Sequence, residues 1–567
     1  MSDSRPTTGE RIHPPADFPV TWPRPTDEAL HWTRDREHMP DPITPMFYSA
    51  AAAMAIACRQ RVAAAYDEAI VQRYDILVHH YIYTALIPFQ GPPDELAARA
   101  RRNREKVSAV ALRLREVWEE EWRPALEAQW AFWAAFDLEG ADGPALRAHL
   151  EESIVRGARL YDLHYRMGPP LWLAIDEFET LYCDLFPGRT RLDAHRLLQG
   201  FDNKTLEAGR ALWRLRDRAR SWPRVARALA ETPAGAVGGV LAAFPEGIHF
   251  LAELRAYLST YGRRSSLWDW GYPSWEDDPT PVINNLKNYL GQADRDLEAE
   301  LRAAAAERGA AVEAARAALG SYPGPVVEHF ERWLDAAQAA LVLTENHTYY
   351  IDFNGFGWIH RVVREFGKRL AAAGRLDTPD DVFYLTLDEL RALSEDPHHD
   401  HRVDAAARRA ELARWAQVDE PWELGTRPAD ALYLYSPDAR RILRYVGGRA
   451  AEAPAPPPGD GVLHGQAGSS GKVRGPARLI RSLAESHRLQ PGDVLVTETT
   501  APPWTPLFLT AAAVVTDAGG MLSHGAVVSR EYHIPAVVGT QQATALIRDG
   551  QWVEVDGDRG LVRLLAA

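Results

Sequence analysis

Cysteine is nearly absent from this chain of 567 residues, with only Cys58 and Cys183. That excludes a disulfide framework or a multi-thiolate metal site, and it fits a reducing compartment. An excess of basic charge is also lacking: the net charge is -14. Nucleic acid and anionic membranes both call for a basic surface, so neither is expected as a partner. No apolar run approaches the ~18 residues needed to span a bilayer. The opening MSDSRPTTGERIHPP has no apolar core, so no secretory leader is expected and the expected location is cytoplasmic. No GxxxxGK[ST] loop occurs, and no fixed-period repeat is evident. What is present is ordinary for a globular protein, 46% hydrophobic and 25% charged, and the length allows several domains.

Residues 1–45 are rich in proline and polar groups and read as an extended arm. From about Phe47 to Leu390, apolar residues recur at three- and four-residue spacing, as in Ala50 to Tyr66 and Leu96 to Phe136, and alternating strand patterns are scarce. Residues 1–446 are therefore expected to form one large, mainly helical domain. GGRAAEAPAPPPGDG, residues 447–461, buries little and reads as a semi-stiff hinge linker. Residues 462–567 read as a small β/β/α domain. Its strand candidates are Val473–Ile480, Val494–Glu498, Ala512–Val515, Ala536–Val538, Val553–Val555 and Val562–Leu564, with helices starting near Pro506, Gly525 and Gln542.

Within that last domain, TDAGGMLSHGAVVSREYHIPAVVGT runs from an apolar strand through Gly519 and Gly520 to Ser523, His524 and a helix-like stretch. An imidazole at a helix start meets free N–H groups and the positive dipole end, which favour an anion. Glycines let the backbone approach closely, Ser523 is an N-cap candidate, and the imidazole can accept a phosphoryl group. Spacing alone leaves open a plain capping or surface histidine. The stretch resembles the phosphohistidine (swivelling) domain of the PEP-utilising family, which includes phosphoenolpyruvate synthase, pyruvate phosphate dikinase and rifampin phosphotransferase. The likeness runs through Gly519-Gly520, Ser523 to Val528, Arg530-Glu531-Tyr532, Ile534 to Gly539 and Val555-Asp556-Gly557. Upstream it takes in Gly465, Ser470-Gly471 and Pro503 to Phe508. The resemblance implies that His524 carries phosphorus, supported by Gly519, Gly520, Ser523, Gly525 and Arg530.

Three polar clusters interrupt the helical body. In YGRRSSLWDWGYPSWEDDP, Arg263 and Arg264 suit an anion, and Trp268, Asp269 and Trp275 suit a flat substrate; a loop packed by its own tryptophans is the equal alternative. The family often carries a histidine where this chain has Arg263. In TENHTYYID, Glu345 continues the apolar stripe of a helix, and with His347 it forms a candidate acid–base pair; a structural His–Glu hydrogen bond is the simpler reading of the spacing. Asn346 and Tyr349 are candidate substrate contacts, and Thr344 stands where the family often has arginine. PHHDH, residues 397–401, reads as a solvated loop, and no metal site is expected in the chain.

No segment resembles the ATP-grasp domain that loads the histidine in this family, nor its phosphoenolpyruvate-binding barrel. The resemblance therefore implies a phosphotransferase component. His524 would receive phosphorus from a separate ATP-grasp protein using ATP and Mg²⁺, and pass it to a small-molecule hydroxyl in the helical domain. Glu345 or His347 would act as base, and Arg263 or Arg264 would steady the phosphoryl oxygens. The alternatives are an ATP-driven dehydratase, in which phosphorylation is followed by elimination of phosphate, and a non-catalytic phosphocarrier or regulatory module.

Overall fold

The computed structural model describes residues 9–36, 38–265, 267–292, 295–393, 399–428 and 461–565. The 447–460 part of the expected linker, and Pro397 and His398 of PHHDH, lie outside the described residues. The rest forms a large helical body followed by a C-terminal mixed-sheet domain.

The body is built on one helix of 43 residues, Gly143–Leu185, started by Asp142, whose carboxylate accepts from the Ala145 N–H. Leu146, Leu150, Leu160, Met167, Leu171, Ile175 and Phe178 are buried along it. Their three- to four-residue spacing gives a stripe that neighbouring helices cover. The helices Ala53–Ala65, Pro93–Ala111, Gly324–His347 and Asn354–Ala372 pack against it.

The N-terminal arm contributes two short strands to a sheet. Glu10–Arg11 (β1) and His31–Arg34 (β2) join an antiparallel sheet with Ile70–Val78 (β3), Tyr81–Pro88 (β4) and Glu423–Arg427 (β5), in the order β1-β5-β2-β4-β3. Trp32 is fully buried and its indole N–H donates to the Asp27 carbonyl. Local pattern could not reveal β2, because both its partners are distant in sequence: Thr33 lies opposite Thr84 of β4 and Trp32 opposite Leu424 of β5. The β3–β4 hairpin turns through His79 and His80, both with positive φ (51° and 69°). Hairpin turns of this kind are usually marked by Asn-Gly or Asp-Gly, so this one carries no familiar sequence signal.

In the C-terminal domain the strands are Val462–His464 (β6), Gln466–Ser469 (β7), Lys472–Leu479 (β8), Val494–Thr497 (β9), Ala513–Thr516 (β10), Ala536–Val538 (β11), Trp552–Asp556 (β12) and Leu561–Leu564 (β13). They form one sheet in the order β6-β13-β12-β8-β9-β10-β11-β7. All six sequence-derived strands are present; β6 and β7 are additional. Strands β8 to β11 run parallel, and the helix His524–Glu531 is the crossover from β10 to β11. The loop after β10 thus sits at the carboxyl end of parallel strands, where α/β sheets expose ligand-binding backbone.

The two parts are docked. One apolar cluster combines Leu206, Trp213, Tyr257 and Tyr289 of the body with Trp504, Phe508, Val528 and Tyr532 of the C-terminal domain. The Tyr289 hydroxyl donates to the Pro506 carbonyl (2.8 Å), and Gln292 donates to Thr510 Oγ1 (2.8 Å). The Gly200 N–H donates to Glu531 (2.8 Å), and Gly209 leaves room for the Tyr532 hydroxyl, which would lie 2.5 Å from a Cβ there.

Candidate active site

His524 opens its helix, and the loop before it is fixed from three sides. Gly519 has φ +106°, and a Cβ there would strike Ser523. The Ser523 N–H donates to the Gly520 carbonyl (3.0 Å). Ser523 occupies the N-cap position, but its hydroxyl makes no capping bond, which corrects that expectation: the side chain packs over Gly519 instead. Arg530 is buried and donates to the carbonyls of Gly468 (2.7 Å) and Met521 (2.6 Å), tying β7 to the loop. Burial pushes its pKa down to about 10. Gly525 lies against Thr500, where a Cβ would come within 2.8 Å of the hydroxyl.

The imidazole of His524 faces the helical body, with the side chain 8% exposed. Its Nδ1 lies 3.3 Å from Glu345 Oε2, and its Nε2 lies 3.1 Å from the Thr505 hydroxyl. Phe508 meets the ring edge-on at 5.9 Å between centroids. Glu345 is buried at the end of the Gly324–His347 helix and also accepts from the Thr205 hydroxyl (2.6 Å). Burial pushes its carboxyl up, but the neighbouring His524 and the Thr205 donor bring it below its ordinary value. A carboxylate can only accept, so Nδ1 is the nitrogen that donates to Glu345, while the Thr505 hydroxyl beside Nε2 itself donates to the Pro502 carbonyl (2.7 Å). Thr205 stands in the first turn of the 18-residue helix Lys204–Ser221. The positive end of that helix therefore lies beside the Glu345–His524 pair, a place that favours negative charge.

Arg264 is 3% exposed; its Nε donates to the Tyr261 carbonyl, and its guanidinium lies over Trp275 (5.2 Å) and Phe353 (5.8 Å). Burial lowers its pKa, and Glu345 is among the groups that pull it back up. Among the described residues Arg264 forms no ion pair at contact distance, so it is a desolvated cation near the carboxylate. Arg263 faces elsewhere: it donates to Asn354 (3.2 Å), stacks on Trp358 (4.2 Å) and lies 3.7 Å from Glu276.

The other sequence candidates divide between site and scaffold. Asn346 accepts from the Lys204 N–H (2.9 Å), and the Tyr349 hydroxyl donates to the Thr260 carbonyl (3.2 Å). Asp269 accepts from the Thr44 N–H (2.7 Å), the Thr44 hydroxyl (3.0 Å) and the Gly271 N–H (2.6 Å), which anchors the arm to the loop; burial raises its pKa to about 6. Trp275 is buried, while Trp268 stacks on Phe353 and borders a cavity. Glu345 and His347 do not pair with each other. Two residues apart on a helix, they point to different sides. His347 Nδ1 instead contacts the Leu343 carbonyl (3.1 Å), and Nε2 lies 3.8 Å from Asp352. Burial lowers the pKa of His347 despite Asp352. Thr205 and Thr505 were missed as site residues. Thr505 lies within the family-like Pro503–Phe508 stretch, but Thr205 carries no local signal.

The glycine loop and the helix-opening histidine lie in a stretch similar to the mobile domain of PEP-utilising enzymes. Residues 489–560 match the PEP-utilising enzyme mobile domain, and residues 176–345 match the rifampicin phosphotransferase fourth domain. It is 38% identical to chondramide synthase cmdD of Chondromyces crocatus over 97% of this chain and 14% of that protein. It is 33% identical to a rifampicin phosphotransferase of Streptomyces sviceus over 64% of this chain and 40% of that protein. It is 28% identical to the uncharacterized phosphotransferase YvkC of Bacillus subtilis over 72% of this chain and 47% of that protein. The chain thus spans less than half the length of each of these relatives. Among the described residues no helix is long and apolar enough to cross a membrane.

Proposed function

We propose that this protein is a phosphotransferase component in which His524 carries a phosphoryl group to a hydroxyl of a small molecule bound by the helical body. The observation that carries this reading is the contact between domains: His524 Nδ1 at 3.3 Å from the buried Glu345. With Nδ1 facing Glu345 in the docked state, Nε2 is the nitrogen that brings phosphorus to the body's site. In the second half-reaction the acceptor oxygen attacks phosphorus and the P–Nε2 bond breaks. The acceptor proton passes to Glu345, and His524 returns to its neutral form. Arg264 and the start of the Lys204–Ser221 helix supply positive potential for the phosphoryl oxygens.

Loading calls for a second site. An ATP-grasp protein using ATP and Mg²⁺ fills that role in our reading, with the C-terminal domain swinging between the two sites. The test is incubation with γ-labelled ATP, Mg²⁺ and an ATP-grasp protein of the rifampicin phosphotransferase type. Acid-labile label is expected on the wild-type chain and none on His524→Ala; equal labelling of both ends this reading.

A further inference from the structure

Just past the end of the Gly324–His347 helix, Asp352 borders a cavity of about 160 Å³, lined also by Asp35, His38, Arg73, His164 and Trp268 among others. Here the Gly324–His347 helix widens into a π-type turn, Thr348–Phe353. Such wide turns recur at functional sites and place residues five apart on one side. This one brings Asp352 beside His347, while His164 comes in from the Gly143–Leu185 helix.

We propose that His164, His347 and Asp352 bind a divalent transition-metal ion, zinc in class, with its open positions toward this cavity. One ligand atom from each lies within 4.8 Å of the others. His164 Nδ1 is 3.3 Å from Asp352 Oδ1, and His347 Nε2 is 3.8 Å from Asp352 Oδ2. Ligand atoms around a tetrahedral zinc at ~2.0–2.1 Å sit roughly 3.3 Å apart, so a small inward shift suffices.

The hydrogen bonds favour a cation over a plain polar cluster. The Leu343 carbonyl only accepts, so His347 Nδ1 carries the proton and the Nε2 lone pair faces a carboxylate oxygen. Two acceptors face each other, and a cation between them resolves this. A backbone carbonyl holding the far nitrogen is also the usual support for a metal-bound imidazole. Asp352 has its side chain 7% exposed, and its Oδ2 is buried without a hydrogen-bond partner, as is His164 Nδ1. Arg73 in the cavity wall is offset by Asp75 at 2.9 Å. Three protein ligands with room beside them fit an ion that also takes a hydroxyl or carboxylate oxygen of a small molecule. The cluster stands independently of phosphoryl transfer.

The test uses the full chain, stripped with a chelator and titrated with Co²⁺ by visible absorption, with Zn²⁺ as competitor. It is run in a His399→Gln, His401→Gln background, because His399, His401 and Asp404 form a second cluster of ligand type. One equivalent is expected to bind, and Asp352→Asn is expected to weaken it by roughly 100-fold or more. Should Asp352→Asn fail to fold, the more exposed His164→Gln carries the same expectation. No bound equivalent, or binding unchanged in both variants, overturns the proposal. No ATP is present, so this failure is distinguishable from a failure of His524 labelling.

Discussion

Glu345 and His347 sit two residues apart on one helix end and face different surroundings. Glu345 meets an incoming domain: an imidazole from the C-terminal sheet, a threonine hydroxyl and the start of another helix. His347 sits with His164 and Asp352, and those two line a cavity. Helical periodicity separates the side that meets His524 from the side that carries His347, and the π turn after His347 gives that second side its carboxylate.

The largest expected effect divides these sides. Glu345→Gln keeps the shape but removes the proton acceptor. Discharge of phospho-His524 to an acceptor is expected to fall about 10²–10⁴-fold, far more than loading by ATP, in single-turnover chases of pre-labelled protein. Equal loss in both half-reactions would break the comparison, because Glu345 would then serve the histidine alone.

A second prediction concerns how the domains meet. Gly209→Ala places a methyl against the Tyr532 hydroxyl, and overpacking of this kind costs about 1–3 kcal/mol. That hydroxyl has no hydrogen-bond partner, and the ring carbon behind it lies 3.8 Å from the new methyl position. Tyr532→Phe is therefore expected to restore docking in the double variant, read by hydrogen exchange across the interface.

The smallest effect is a pH dependence of docking. Burial raises Glu531 from the ordinary 4.5 to about 7, against the Gly200 hydrogen bond and the Arg530 charge, which lower it. Docking therefore takes up a proton. Its contribution is fully present below about 4.5 and is lost as pH rises through 7. The exchange protection factor of the Gly200 amide should fall across that window, and Glu531→Gln should flatten the profile.

The two regions also differ in what the sequence reveals. The C-terminal domain was legible because its function is local: strand, glycine loop, His524 and helix follow within some twenty residues, and each leaves a residue-type signature. β6 and β7 escaped because they are short and lie next to glycines. The body's half of the site joins Thr205 to Glu345 across 140 positions, and the arm's Thr44 to Asp269 across 225. Helical periodicity shows that Glu345 points inward, but not what it meets. The same limit applied to Glu345 and His347 as a pair, which sequence proximity suggested and helix geometry separates.

With Glu345 facing Nδ1 in the docked state, Nε2 is the nitrogen of His524 expected to carry phosphorus. Nitrogen–phosphorus coupling in the phosphorylated protein, grown with ¹⁵N-labelled histidine, reads the bonded atom directly. The account predicts phosphorus on Nε2 of His524. Phosphorus on Nδ1, or on any other residue, would contradict it.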